Sequence, residues 1–252
     1  MKQFIALFIS LFFSVTLAAQ EQNSTLFENG VKAFKQKDYE ASISIFSELL
    51  KTDSLNATLH YNLGSVYLKN QQTGLSIYHL EKALKLRPNY EAAQINLQFA
   101  NKLKTNITKG NLPIPQQQMV YSVFNFITPN SWAYVAIGSM LVAVGLCLIY
   151  LFITKSSLKK VSFGLAILSV VLSIGCFFIS KNQSLYLISN HYVIVNSKDA
   201  LLMNEPRNIA KVSANLIEGE KAFIKEETDQ WIKIQLPNDT MGWVEKKYIL
   251  KF

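Results

Sequence analysis

The chain has 252 residues, of which half are hydrophobic and 17% are charged, and its formal net charge is +8. This composition is too apolar for a disordered chain and indicates that part of the chain faces lipid. The positive charge comes almost entirely from Lys and is spread along the chain without a basic patch, which argues against nucleic-acid binding.

Residues 1–19 predict a secretory signal peptide. Lys2 precedes an apolar run that ends at Leu17, and the small residues Ala18 and Ala19 come before a polar stretch. A retained N-terminal anchor is the alternative, because the apolar run is nearly as long as a short membrane span.

Residues 23–104 predict tetratricopeptide repeats. A shift of 34 residues aligns Gly30 with Gly64 and Ser42 with Ser76. This period is typical of an all-α solenoid in which each repeat contributes two antiparallel helices to a shared core. We assign the two repeats to 23–56 and 57–90 and a solvating cap to 91–104.

Two repeats and a cap expose one concave groove, which predicts binding of a peptide or helix from a protein partner. The alternative is that the groove side chains simply pack between helices. Some modules of this kind hold a C-terminal carboxylate with Lys and Asn, but Phe27 and Val31 stand where those residues would lie. The repeat alignment assigns these residues to the partner-binding groove: Phe27, Val31, Phe34, Tyr61, Ser65, Leu68 and Lys69.

The segment 105–131 is a linker that contains three Pro residues and no charge from Gly110 onward. Because it is apolar and precedes a span, we expect it to approach the membrane and lie in the bilayer surface.

Two uncharged apolar stretches, 132–153 and 161–180, are each long enough to cross a bilayer as a helix. The loop between them, 154–160, contains three Lys residues, and Lys-rich short loops stay in the cytoplasm. The prediction is a two-helix hairpin in a bacterial inner membrane, with both soluble modules in the periplasm. Because the spans lack charged residues, transport is disfavoured.

Residues 189–252 change to a period of two, with short strands between turn clusters, and predict a small five-stranded SH3-like barrel. Three aromatic residues of this region could form a face for a proline-rich or cell-wall peptide, or could be plain core. They are Trp231, Trp243 and Tyr248.

Catalytic, metal and cofactor sites are not expected. Cys147 and Cys176 lie in apolar runs, where they behave as small hydrophobic residues. The three His residues have no Cys or carboxylate at a metal-ligand spacing, and no nucleophile is accompanied by a base. We therefore expect a non-enzymatic protein.

The order of signal peptide, repeats, Pro-containing approach, two spans and SH3-like tail resembles the BatE proteins of the Bacteroides aerotolerance operon. The junction into the first span is also similar to that family, in the segments 96–100, 112–113 and 128–133. The resemblance implies an envelope complex with von Willebrand A-type membrane proteins and a MoxR-type ATPase, linked to aerotolerance.

The leading hypothesis is an inner-membrane scaffold that binds protein partners through its repeats and its SH3-like domain. The alternative is a cell-wall-binding tether whose SH3-like domain contacts peptidoglycan. An enzyme is the third class, and the sequence offers no set of residues for it.

Overall fold

The computed structural model describes residues 24–104, 110–114, 116–189 and 191–252. The signal peptide predicted at 1–19 lies outside these residues. The described chain forms two compact units, one from 24–112 together with Tyr192–Phe252 and the other from Pro113–His191. The helical repeats and the C-terminal sheet therefore belong to one unit, and the two apolar helices belong to the other.

The repeat region is helical throughout its described length, and its turns recur with the repeat. Lys37 and Gln71, which are 34 residues apart, both have a positive φ (64° and 61°) where one helix ends and the next begins. The side chains of Asp38 and Asn56 accept backbone N–H groups at the starts of the second and third helices. The helices are α1 (24–35), α2 (Tyr39–Thr52), α3 (Ala57–Lys69), α4 (Thr73–Leu86) and α5 (Glu91–Lys102).

A helical repeat arrangement is shown by equivalent contacts in its two copies. The buried Ser42 hydroxyl donates to the Gly30 carbonyl at 2.9 Å, and the buried Ser76 hydroxyl donates to the Gly64 carbonyl at 2.8 Å. Gly64 allows this close approach, because a Cβ there would lie 2.7 Å from Leu80 Cγ. The first and second helices of each repeat therefore touch through a glycine, as the alignment indicates.

The C-terminal region is an antiparallel sheet with the strand order β3-β2-β6-β5-β4-β1-β7. The predicted five-stranded barrel is wrong in strand number and in closure, because the sheet has seven strands among the described residues and its edges, β3 and β7, do not pair. The strands are β1 (Tyr192–Val195), β2 (Leu201–Met203), β3 (Val212–Asn215), β4 (Lys221–Glu227), β5 (Trp231–Gln235), β6 (Met241–Glu245) and β7 (Ile249–Lys251).

Strand β1 belongs to two hydrophobic cores at once. Val193 and Val195 face the core of the sheet, whereas Tyr192 and Ile194 pack with α4, α5 and the C-terminal Phe252. Successive side chains of a strand point to opposite faces, so a strand that lies between two cores is buried on both. The sheet and the repeats therefore share a core.

Polar contacts also join the sheet to the repeats. Glu218 Oε1 accepts the backbone N–H of Gly74 at 2.9 Å, at the start of α4, where a carboxylate is favourable. Gly219 has a φ of 82°, and a Cβ there would lie 2.5 Å from Ile77 Cδ1. Lys104 donates to the Gly219 carbonyl at 3.3 Å. The turn between β3 and β4 thus lies directly on the repeats.

In the described part of the second unit the chain forms three helices, α6 (Gln116–Phe124), α7 (Pro129–Phe152) and α8 (Ser156–Ile188). By length and composition, α7 and α8 are both able to cross a membrane. They include the predicted spans 132–153 and 161–180 except for Ile153, which caps the end of α7. The two helices pack on each other, with Ser173 Oγ donating to the Ala136 carbonyl at 2.7 Å. Ser180 Oγ donates to the Pro129 carbonyl at 2.8 Å.

Candidate functional site

A concave groove crosses the first helices of the repeats, α1 and α3, and continues onto α5. These helices occupy equivalent places because they follow one another with the 34-residue period. Their inward-facing side chains therefore line up in rows. The groove has a volume of about 430 Å³ and is lined by Phe34, Tyr61, Ser65, Leu68, Lys69, Asn96, Phe99 and Leu103.

Five of the seven predicted groove residues lie together in this groove, and two lie elsewhere. Phe27 packs against the Phe46 ring with the centroids 5.6 Å apart, and it borders a separate 270 Å³ pocket beside Leu49 and Asn56. Val31 packs against the core of the first repeat. The first repeat thus contributes to the groove mainly through Phe34, near the end of α1.

Three groove residues, two on α5 and one at its C-terminal end, were missed, because the sequence interpretation treated residues 91–104 as a solvating cap. The inner face of α5 is apolar instead, and Phe99 and Leu103 are 58% and 59% exposed. The 34-residue shift could have found two of them, since it carries Ser65 to Phe99 and Lys69 to Leu103. It does not find Asn96, because the equivalent residue, Asn62, does not line the groove.

Polar contacts fix the centre of the groove. Ser65 Oγ donates to the Tyr61 carbonyl at 2.8 Å and accepts from Asn96 Nδ2 at 2.8 Å. A primary amide has a second N–H donor and a carbonyl acceptor. Asn96 can therefore offer both kinds of hydrogen bond to a main-chain segment lying in the groove.

The aromatic wall of the groove is held by its neighbours. The Tyr61 ring packs on the Tyr90 ring with the centroids 4.9 Å apart. The Tyr90 ring in turn contacts the Arg87 guanidinium, which lies 4.7 Å from its centroid. Rings fixed in this way lose little side-chain entropy on binding, so they suit an interaction surface.

The groove lining contains one charged side chain, Lys69, and no carboxylate. Lys102 lies 5.7 Å from the Phe99 ring centroid, beside the groove's exposed apolar surface. Charge complementarity across an interface favours a segment that is apolar at its centre and has acidic residues beside it.

A pair of buried imidazoles lies inside the second repeat. His60 Nδ1 and His79 Nδ1 are 2.9 Å apart, and His60 Nε2 lies 3.2 Å from the Ser54 carbonyl. Because a carbonyl only accepts, His60 Nε2 donates, and the neutral ring then accepts the Nδ1–H of His79. Burial lowers the pKa of His60 to about 4 and that of His79 to about 3, so both rings are neutral.

The pair packs between the two helices of the second repeat. The His79 ring stacks on Tyr67 with the centroids 5.4 Å apart, which fixes it between α3 and α4. No group of three His, Cys, Asp or Glu side chains that could hold a metal ion occurs among the described residues.

The predicted SH3-like face is only partly assembled. Trp231 and Trp243 lie on the same face of the sheet, because Lys233 pairs with Trp243 and Trp231 is two residues before Lys233. Trp231 is only 7% exposed, however, whereas Trp243 is half-buried beneath Lys233. Tyr248 packs against the sheet core instead.

Together these features define a protein with a helical repeat-like region, an antiparallel sheet and two helices able to cross a membrane. No protein-family profile matches the sequence. Over 74 residues the chain is 35% identical to the anaphase-promoting complex subunit CDC16 of Saccharomyces cerevisiae, a match that covers 29% of this chain and 9% of that protein. The chain thus spans less than a tenth of the length of this curated relative.

Proposed function

We propose that the protein is a non-enzymatic, membrane-anchored scaffold that binds a protein partner in the concave groove of its repeats. The observation that supports this most strongly is the exposed apolar surface of α5, which continues the groove beyond the two complete repeats. An exposed hydrophobic patch rimmed by polar groups marks an interaction site in soluble proteins.

The proposed location is the bacterial inner membrane, with α7 and α8 as the anchor and the repeats and sheet in the periplasm. The Lys-rich turn between the helices supports this orientation, since Lys155 precedes α8 and Lys159 and Lys160 lie in its first turns. We infer further that the partners are von Willebrand A-type membrane proteins acting with a MoxR-type ATPase in an aerotolerance complex. This last step rests on the resemblance to BatE proteins.

The sheet is proposed as a second, weaker contact of SH3-like type. Two weak sites on one anchored chain gain avidity when one partner can reach both. The cell-wall tether remains the lesser candidate, because a peptidoglycan-binding face needs exposed aromatic rings and Trp231 is buried.

Affinity capture of the intact protein from membranes tests the scaffold. Phe99→Glu places a charge in the groove, and Leu55→Glu is the matched control, because Leu55 is 52% exposed and lies between α2 and α3, outside the groove lining. The wild type and Leu55→Glu should capture A-type domain proteins, and Phe99→Glu should lose them at least tenfold. Equal capture by Phe99→Glu would contradict binding in the groove, and no capture by the wild type would contradict the proposed partners.

A further inference from the structure

Helix α6 and the turn that follows it form an apolar surface of their own. Met119 and Val123 are four residues apart in α6, which places them on one side of the helix, and Phe126 lies in the turn that follows. Val123 and Phe126 are 65% and 71% exposed, although both are large and apolar. The opposite side of α6 is covered, because Tyr121 packs on Tyr186 of α8 with the ring centroids 4.8 Å apart.

The sequence of α8 indicates where this helix leaves the hydrocarbon layer of the membrane. Its uncharged stretch ends at Ser180 and is followed by Lys181. Ser180 contacts Pro129, the first residue of α7. Both helices therefore reach the edge of the hydrocarbon layer at this point, and the last eight residues of α8, beyond Ser180, extend past it.

Two contacts with this extension set the height of α6. Gln183 Nε2 donates to the Phe124 carbonyl at 2.6 Å, and Tyr186 packs on Tyr121. At a rise of about 1.5 Å per residue, Gln183 lies about 5 Å and Tyr186 about 9 Å beyond Ser180. The headgroup layer on each side of a bilayer is roughly 5–8 Å thick. Phe124 thus lies within this layer, and the chain descends toward the hydrocarbon as it runs on to α7.

The end of α6 is bound to α7 by an aromatic cluster. Trp132 Nε1 donates to the Phe124 carbonyl at 3.3 Å, and its ring makes edge contacts with the Phe124 and Phe126 rings at 6.0 and 5.8 Å. Tryptophan favours the headgroup layer, where its ring is buried and its N–H is satisfied. Phe126 is therefore held beside Trp132, at the membrane boundary, while most of the surface of Phe126 remains exposed.

We propose that the end of α6 is a third membrane contact, in which Val123 and Phe126 insert into the headgroup layer and Phe126 reaches the edge of the acyl chains. The lipid bilayer fits this surface because residues 110–131 have no charge and Phe126 packs on Trp132 of α7, whose apolar side chains are largely exposed. The inference rests on the membrane anchoring in the proposed function.

Spin labels in the full chain test this contact. The protein is reconstituted at one copy per lipid nanodisc, with Cys147→Ser and Cys176→Ala, and single Cys residues are placed at Met119, Val123, Phe126 or Leu141. Leu141 is exposed near the middle of α7 and is the reference for a lipid-facing span. The ratio of accessibility to oxygen over a water-soluble nickel chelate should fall in the order Leu141, Phe126, Val123, Met119.

Labels at Val123 and Phe126 that are as accessible to the nickel chelate as the label at Met119 would overturn the proposal. Labels that neither reagent reaches would overturn it as well, because a protein surface would then cover this side of α6. The Val123 label is independent of the Trp132 contact, so a local effect of replacing Phe126 does not decide the result. Nickel accessibility at Leu141 would contradict the membrane anchor itself, which separates that failure from failure at α6.

Discussion

Lys221 Nζ lies 2.8 Å from Glu81 Oε2, so an ion pair joins strand β4 to helix α4. The same ammonium lies 4.6 Å from the Tyr192 ring centroid and 4.9 Å from that of Phe252. Contacts between a cation and aromatic faces strengthen when they are removed from water. The repeats and the sheet are therefore joined by a partly buried polar contact as well as by their shared hydrophobic core.

A double-mutant cycle on Glu81→Ala and Lys221→Ala should give a coupling free energy of about 1 kcal/mol, because both side chains are mostly buried. The matched control is the pair Lys233–Glu226, which lies within the sheet at 3.2 Å and is more exposed. Its coupling should stay below about 0.5 kcal/mol. Chemical denaturation of the full chain in detergent gives both values, and equal couplings would argue against a stabilising role for the contact between sheet and repeats.

The glycine contact between the helices of a repeat makes a second prediction. Gly64→Ala should lower the free energy of unfolding by about 1–3 kcal/mol, because the added Cβ overpacks against Leu80. Gln98 occupies the place on α5 that is equivalent to Gly64, and it is exposed. Gln98→Ala should therefore change the free energy of unfolding by less than about 0.5 kcal/mol. Similar effects of the two substitutions, measured by denaturation, would mean that α5 packs like a complete repeat.

The buried His60–His79 pair predicts loss of stability in mild acid. Both pKa values are lowered in the folded protein, to about 4 and about 3, whereas an unfolded His titrates near 6.5. Below pH 6.5 the unfolded chain therefore binds more protons than the folded protein does. The free energy of unfolding then falls as the pH is lowered from 6.5 toward the folded pKa values. The two groups together should lower the free energy of unfolding by about 2 kcal/mol when the pH is lowered from 6.5 to 5.5.

Denaturation curves at several pH values check this prediction. A variant with His60→Leu and His79→Leu keeps every other titratable group, so the difference between its pH dependence and that of the wild type isolates the pair. Parallel curves for the two proteins between pH 6.5 and 5.5 would show that the imidazoles are protonated in the folded state.

Much of the fold could be predicted because its signals are local. The 34-residue period aligns the glycine and serine contacts of the two repeats, and the long uncharged runs indicate α7 and α8. The shared core could not be predicted in this way. Every residue of β1 is buried, so the strand shows no alternation that would reveal which side faces α4.

The groove, too, contains some residues that could be predicted from the sequence and others that could not. Phe34, Tyr61 and Leu68 follow from repeat alignment, whereas Phe99 was missed because the sequence after residue 104 was interpreted as a linker and the segment 91–104 as a solvating cap. The His pair was missed for another reason. Its members are 19 residues apart and meet only when α3 and α4 fold back on each other, which no metal-ligand or catalytic spacing would suggest.

Site-specific photo-crosslinking in intact membranes tests partner binding in the groove most directly. A photoreactive phenylalanine analogue at Phe99 should form a discrete protein adduct, and the same analogue at Leu55 should not. Loss of that adduct on introducing Lys69→Glu would support an acidic partner segment. The absence of an adduct at Phe99, or the same adducts at Leu55, would contradict a partner-binding groove.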